Sequence, residues 1–177
     1  MITGARLTLR PFVREDIDAD YLAWLNHPER MRFSGQRHHR HDAASSAAYV
    51  QSFEGTDHYF WAVEQRATGK LAGTMTAYAE GEATDVGILI GRPGQGLGSE
   101  AWGLALDHLL RVEQRAKVTG GSLAAHAAMR RIFERWGMVL ETQWSEARAD
   151  EGPGVDIVRY SITREAWLAR AAGGFSG

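Results

Sequence analysis

Six consecutive residues, Gly94, Gln95, Gly96, Leu97, Gly98 and Ser99, are the part of this chain best suited to hold a ligand. They follow a run in which Val86, Ile88 and Ile90 alternate with Asp85, Gly87 and Leu89, and they precede Glu100 and an alanine- and leucine-rich stretch. That order reads as strand, glycine-rich turn, helix. Such a turn leaves the backbone N–H groups of residues 95–99 bare and close together at the positive end of the helix, a cradle for phosphate or pyrophosphate. Gly96 and Gly98 let the ligand approach without meeting a Cβ. A tight turn with no ligand is the plainer alternative. Gly96-x-Gly98-x-x-Ala101 also fits the dinucleotide motif. That motif wants an acidic residue about 20 positions further on, and residues 119–122 offer none. No Gly-Lys-Ser/Thr is present, which excludes a P-loop.

A second group with chemical potential is His38, His39 and His41, inside the basic and polar stretch 30–42. Adjacent histidines on an irregular loop rarely converge on one ion, and no carboxylate pattern supports them, so no metal is expected. A solvated loop, or one facing an anionic substrate group, suits Arg and His better.

These groups sit in a chain of 177 residues, large enough for one domain with a full core, and residues 1–177 are expected to form one. Residues 172–177 are expected to be a mobile tail. Net charge is -2 with no long basic run, which argues against nucleic acid as a partner. There is no cysteine, so disulfides, zinc–thiolate sites and cysteine nucleophiles are excluded. The opening MITGARLTLR has no apolar signal core and no run approaches membrane-spanning length. No membrane association and a cytoplasmic location follow by default.

The elements that would position the turn can be read in order. Leu7 and Leu9 alternate with Arg6, Thr8 and Arg10 in a half-buried strand ended by Pro11. Asp16 is placed to cap a helix running to about Asn26 and closed by Pro28, and Asp42 to cap another through Ala48, Tyr49 and Phe53. Residues 58–64 and 70–78 read as a hairpin turning at Arg66-Ala67-Thr68-Gly69. Beyond the central helix, residues 116–119 form a strand whose end Gly120 and Gly121 loosen. Met129, Ile132, Phe133 and Trp136 mark an amphipathic helix capped by Gly137. Residues 138–144 and 155–162 are the last strands, and Thr163 starts a terminal helix. The sum is a mixed α/β sheet, antiparallel early, with one helical crossover later.

This order, with GQGLGSEA opening the central helix, resembles the GNAT superfamily of acetyl-CoA-dependent N-acetyltransferases. Leu7-Thr8-Leu9-Arg10-Pro11 followed by Glu15-Asp16 is similar to that family's opening, and Gly94 to Gly98 to its pyrophosphate loop. His126-Ala127-Ala128-Met129, through Phe133 to Gly137-Met138, stands where the family commonly has N-x-x-A…Y…G-F. The resemblance implies a GNAT-like, mostly antiparallel sheet flanked by helices, acetyl-CoA as co-substrate, and direct attack of a primary amine on the thioester. It implies further that backbone N–H groups around Ile88, Leu89 and Ile90 serve the carbonyl oxygen, and that Gly94, Gln95, Gly96, Leu97, Gly98, Ser99, His126, Met129 and Phe133 border the cofactor. Relatives often hold a carboxylate near Asp85, the expected base, with Glu80, Glu82 and His58 in reserve; a solvated strand-end role is its alternative.

Several positions depart from the family pattern. Pro93 stands where many relatives have Gln or Arg, His126 replaces an Asn, and Phe133 replaces the Tyr that often protonates the thiolate. Water, Ser122 or His126 are the substitutes. The acceptor side is expected to involve Trp24, Arg32 and Arg37, whose aromatic and cationic character suits a nucleotide-linked amino sugar. Tyr21-Leu22-Ala23-Trp24-Leu25-Asn26 and Thr119-Gly120-Gly121-Ser122-Leu123 are similar to the branch acting on such sugars. A protein N-terminal amine, as in the ribosomal-protein branch, is the second acceptor and a polyamine or antibiotic the third. A non-catalytic acyl-CoA-binding module is the reading from another class. Family members often dimerise, and nothing in the sequence locates an interface.

Overall fold

The computed structural model describes residues 1–34, 38–148 and 152–172. Among the described residues, eight strands and six α-helices follow in order: β1 (Ile2–Thr3), β2 (Leu7–Pro11), α1 (Ala19–Leu25), α2 (Pro28–Met31), α3 (Ala43–Gln51), β3 (Tyr59–Gln65), β4 (Lys70–Glu80), β5 (Ala83–Ile90), α4 (Leu97–Asp107), β6 (Lys117–Leu123), α5 (Ala127–Arg135), β7 (Val139–Arg148), β8 (Gly152–Thr163) and α6 (Arg164–Ala172). The strands are ordered β1-β2-β3-β4-β5-β6-β8-β7 in a mostly antiparallel mixed sheet. The exception is β5 beside β6, parallel and joined through α4, as a helical crossover requires. Among the described residues, no helix is long and apolar enough to cross a membrane.

The described residues form two compact units: Met1–Tyr78 with Ile88–Leu104, and Ala79–Gly87 with Ala105–Gly177. In the first, β2 pairs antiparallel with β3 from Leu7↔Gln65 to Pro11↔Trp61. Pro11 therefore closes the strand from within its ladder, at the last pair. Leu7 and Leu9 are fully buried. Phe12, Tyr21, Trp24, Phe60 and Ala62 make a second cluster under α1, with Phe12 stacked on Phe60 at 4.6 Å between ring centroids.

The start of α1 differs from the sequence reading. Asp18, not Asp16, is the cap, accepting the Tyr21 N–H at 2.7 Å. Asp16 is taken by Arg10 through two bonds of 2.7 Å and by the Val13 N–H at 2.9 Å, inside a 3₁₀ turn, Arg14–Asp16. A bidentate guanidinium contact outcompetes capping because both partners are charged. Pro28 opens α2 rather than merely closing α1, its missing N–H being harmless in a first turn. Asp42 caps α3 in a reciprocal pair with Ser45, as its position suggested.

In the second unit β6 runs straight through Gly120 and Gly121 to Leu123, where a loosened end was expected. The reason is the partner: β8 supplies a ladder residue to each, Gly120↔Tyr160 and Gly121↔Arg159. α5 buries Met129 and Phe133, the latter stacked on Tyr160 at 4.9 Å. Gly137 ends it at φ +75°. A π-helical turn, His108–Val112, follows α4 and was not foreseen; it buries Leu109 and Leu110. α6 starts at Thr163, whose hydroxyl accepts the Ala166 N–H at 3.2 Å, and anchors through Trp167, whose Nε1–H donates to Asp107 at 3.1 Å. Of the expected tail, residues 173–177 lie outside the described residues.

Candidate active site

In the first unit β5 delivers Ile88, Leu89 and Ile90, all half-buried, to the start of the glycine loop. Two glycines make room there. A Cβ on Gly73 would collide with the Leu89 carbonyl oxygen, and one on Gly91 with the Trp24 ring. The Gly91 N–H is held by the Ala72 carbonyl at 2.9 Å.

The loop itself needs left-handed backbone at Gly94 (φ +89°) and Gly96 (φ +69°), which glycine alone adopts without strain. Its inner side is clamped by Arg6. The Arg6 guanidinium donates to the carbonyls of Gln95 at 2.8 Å and Gly96 at 3.4 Å, and its Nε to Glu100 at 2.7 Å. The Glu100 carboxylate also accepts the backbone N–H of Arg6 at 2.7 Å and of Leu7 at 3.2 Å. Burial pushes the Glu100 carboxyl up, but these donors outweigh it and hold the group below the usual range. Glu100 ties the start of α4 to the start of β2.

With the loop carbonyls of Gln95 and Gly96 turned to Arg6, the amides ahead of α4 are what the loop has to offer a ligand. The first helix-type bond at this end runs from Glu100 N–H to Gly96 O, so Leu97 and Gly98 carry N–H groups without an acceptor inside the helix. The Leu97 side chain is buried, leaving its backbone to face a ligand. Open space surrounds the position a Cβ would take on Gly94. A pyrophosphate fits this arrangement chemically: several amides, a helix start of 11 residues, and no side chain in the way.

In the second unit, the register Asp85↔Thr119 of the parallel pair puts both side chains on one face. The Thr119 hydroxyl donates to Asp85 Oδ1 at 2.7 Å, and Arg159 Nη2 lies 3.5 Å from the same oxygen. Burial raises the Asp85 carboxyl above its ordinary value; Thr119 and Arg159 pull it down, Glu80 adds to the rise, and the balance stays upward. His126 stands at the start of α5, its Nδ1 3.3 Å from Ser122 Oγ. Met129 and Phe133, 7% and 0% exposed, are core residues of this unit.

The acceptor-side residues are not brought together. Trp24 is only 5% exposed and packed against Gly91, Tyr21 and Phe60, which leaves little ring face for stacking a base. Its edge lines a polar cavity of about 390 Å³ with Arg92, Lys70, Asp16, Asp18 and Asp20. Arg32 is exposed, bonded to Glu29 at 3.0 Å, with its guanidinium 4.7 Å from the centre of the Phe33 ring. Arg37 lies outside the described residues. Among the described residues no group of three or more His, Asp or Glu is placed to hold a metal ion. His41 instead exchanges backbone bonds of 2.9 and 2.8 Å with the Asn26 side chain.

The family profile described as Acetyltransferase (GNAT) domain matches residues 6–139. The chain belongs to the GNAT acetyltransferase family. It is an N-acetyltransferase whose co-substrate is acetyl-CoA. No curated protein matches this GNAT chain significantly. Solved structures do. A spermidine N-acetyltransferase from Vibrio cholerae, in complex with CoA and spermine, is 18% identical with a TM-score of 0.81, covering 93% of this chain and 99% of that one. RimL, a ribosomal alpha-N-protein acetyltransferase in complex with coenzyme A, is 16% identical with a TM-score of 0.80, covering 92% and 97%. A GNAT acetyltransferase from Bacillus anthracis is 17% identical with a TM-score of 0.79, covering 93% and 98%. At these identities the likeness establishes the fold.

Three residues in contact with the candidate groups escaped the sequence reading: Arg6 at the glycine loop, and Thr119 and Arg159 at Asp85. Arg6 read as the solvent side of a half-buried strand. Thr119 and Arg159 meet Asp85 only through the register of β5, β6 and β8, which no local pattern encodes.

Proposed function

We propose that this acetyltransferase moves the acetyl group directly to a primary amine, with Asp85 as the base. The observation that carries the reading is Asp85 itself. It is a half-buried carboxylate, raised above its ordinary value by burial, hydrogen-bonded to Thr119 and 3.5 Å from the Arg159 guanidinium, as suits a general base. Residues 94–99 hold the pyrophosphate through backbone amides. When bound, acetyl-CoA supplies a thioester carbonyl, so a C–N bond forms as the C–S bond breaks. Asp85 takes the proton that the amine must lose. Ile88 to Ile90 offer N–H donors to developing negative charge on oxygen.

For the acceptor, a nucleotide-linked amino sugar is supported by the exposed Arg32 beside Phe33, a cation and an aromatic face on the polar loop. A protein N-terminal amine is the second reading, favoured by the likeness to RimL. Steady-state turnover on nucleotide-linked amino sugars, peptides with free N-termini and polyamines separates them. The expected outcome is the highest kcat/KM on the sugar nucleotides, with Arg32→Ala and Arg37→Ala each raising acceptor KM. A preference for peptides moves the assignment to the second reading. Asp85→Asn is expected to lower kcat by roughly 10²–10⁴ while leaving acetyl-CoA affinity alone; unchanged turnover removes Asp85 from its role.

A further inference from the structure

The surroundings of Asp85 are more specific than a lone base needs. On its own strand the neighbours Thr84 and Val86 turn into the core, 1% and 2% exposed, so Asp85 points to the other face. Thr119 stands beside it on β6, 3% exposed, and its hydroxyl has Asp85 Oδ1 as its partner. On the far side of β6, Arg159 is paired with Gly121, two residues along from Thr119 and therefore on the same face. Gly121 contributes no side chain there, and the Arg159 guanidinium reaches across β6 to the same carboxylate oxygen at 3.5 Å. Arg159 Nε is buried with no hydrogen-bond partner. Among the described residues the ion-pair partner of the guanidinium is Asp85. The other charged group acting on Asp85 is Glu80, on β4, and it is repulsive.

The Thr119 hydrogen bond and the nearest Arg159 approach both fall on Oδ1, and Oδ2 accepts no hydrogen bond from the described residues. A carboxylate held at one oxygen by a hydroxyl and a guanidinium keeps its plane and leaves the other oxygen's lone pairs for a proton. We propose that Thr119 and Arg159 are positioning residues for the base: together they hold Asp85 ionised and fixed through Oδ1, so that Oδ2 is the atom that accepts the amine proton. This rests on Asp85 being the base. It adds that the base works as a three-strand unit, and that its ionisation is set from β6 and β8. Burial favours the protonated form of Asp85, and Thr119 and Arg159 favour the charged one.

The test reads the carboxyl itself and the reaction separately. In protein labelled with ¹³C at aspartate carboxyl carbons, the Asp85 signal is assigned by its loss in Asp85→Asn and titrated in the absence of acetyl-CoA. Thr119→Val and Arg159→Met are expected to move its titration to higher pH, with Thr119→Ser and Arg159→Lys returning it toward wild type. The acidic limb of kcat/KM against pH is expected to shift alkaline in the same two variants, with turnover recovering at high pH. A carboxyl signal that titrates unchanged in both variants overturns the proposal, whatever the rates do. Full turnover in Asp85→Asn overturns the base reading, and the positioning role with it, even if the signal moves. Loss of turnover in Asp85→Asn with an unmoved signal sinks the proposal alone. Folding of each variant is checked by the remaining carboxyl signals.

Discussion

At the scale of one residue, the charge of Asp85 works against stability. Its carboxyl is raised by burial against the pull of Thr119 and Arg159. A raised carboxyl favours the protonated folded state, so its contribution to stability is complete below the ordinary carboxylate range and is lost as pH rises through the folded-state value. Asn has the shape but never ionises. Thermal unfolding of Asp85→Asn and wild type, compared over a pH series, is therefore expected to differ little at acid pH. The difference grows in favour of the variant as Asp85 ionises, and flattens above that. A variant that is less stable at neutral pH than at acid pH, relative to wild type, would mean that the Arg159 contact outweighs burial. Asp85 was legible in the sequence because it alternates with Val86 and Ile88 beside a glycine turn. Its partners were not, because the hydroxyl and the guanidinium arrive from other strands. Trp24 marks the converse limit. An aromatic side chain near a basic loop reads as a stacking surface, and only packing reveals that Gly91 and Phe60 bury it.

At the scale of elements, the glycine loop depends on β2 as much as on its own sequence. Gly94 and Gly96 permit the turn, but the orientation of its peptide planes is fixed by Arg6, which holds the Gln95 and Gly96 carbonyls, and by Glu100, which holds Arg6 in return. Arg6→Met keeps the aliphatic stem and removes all three side-chain bonds. It is expected to raise KM for acetyl-CoA roughly fivefold to tenfold, the equivalent of one ordinary hydrogen bond, with a smaller effect on kcat. Equal losses in kcat and kcat/KM would place Arg6 in the chemistry instead. The order of elements was readable because period-2 runs, period-3.6 runs and Gly or Pro breaks are local signals, and α3, the hairpin, α4 and α5 follow from them. The failures were contests decided at long range. Asp16 was drawn from capping by Arg10, and Gly120 and Gly121 were held in a strand by β8.

At the scale of the whole molecule, the two compact units are not divided by linkers. Their boundaries fall inside β5, between Gly87 and Ile88, and inside α4, between Leu104 and Ala105. Melting either unit must break a strand and a helix that also belong to the other, and backbone hydrogen bonding makes such breaks cooperative. The expectation of one domain thus becomes a prediction of one transition. Trp24, Trp61 and Trp102 report on the first unit, and Trp136, Trp144 and Trp167 on the second. In urea, tryptophan fluorescence and far-ultraviolet circular dichroism should trace the same curve; two separated midpoints would show that the units unfold independently. A ligand that binds only the folded chain adds to the stability of whatever unfolds with its site, about 2.7 kcal/mol at a hundred times its Kd. Acetyl-CoA should therefore move the entire transition upward for both probes, and NAD should leave it in place. Gly96→Val, which forces a β-branched residue to φ +69°, should abolish the acetyl-CoA shift while the transition itself stays single. A shift surviving in that variant would place the cofactor's hold elsewhere than in the glycine loop.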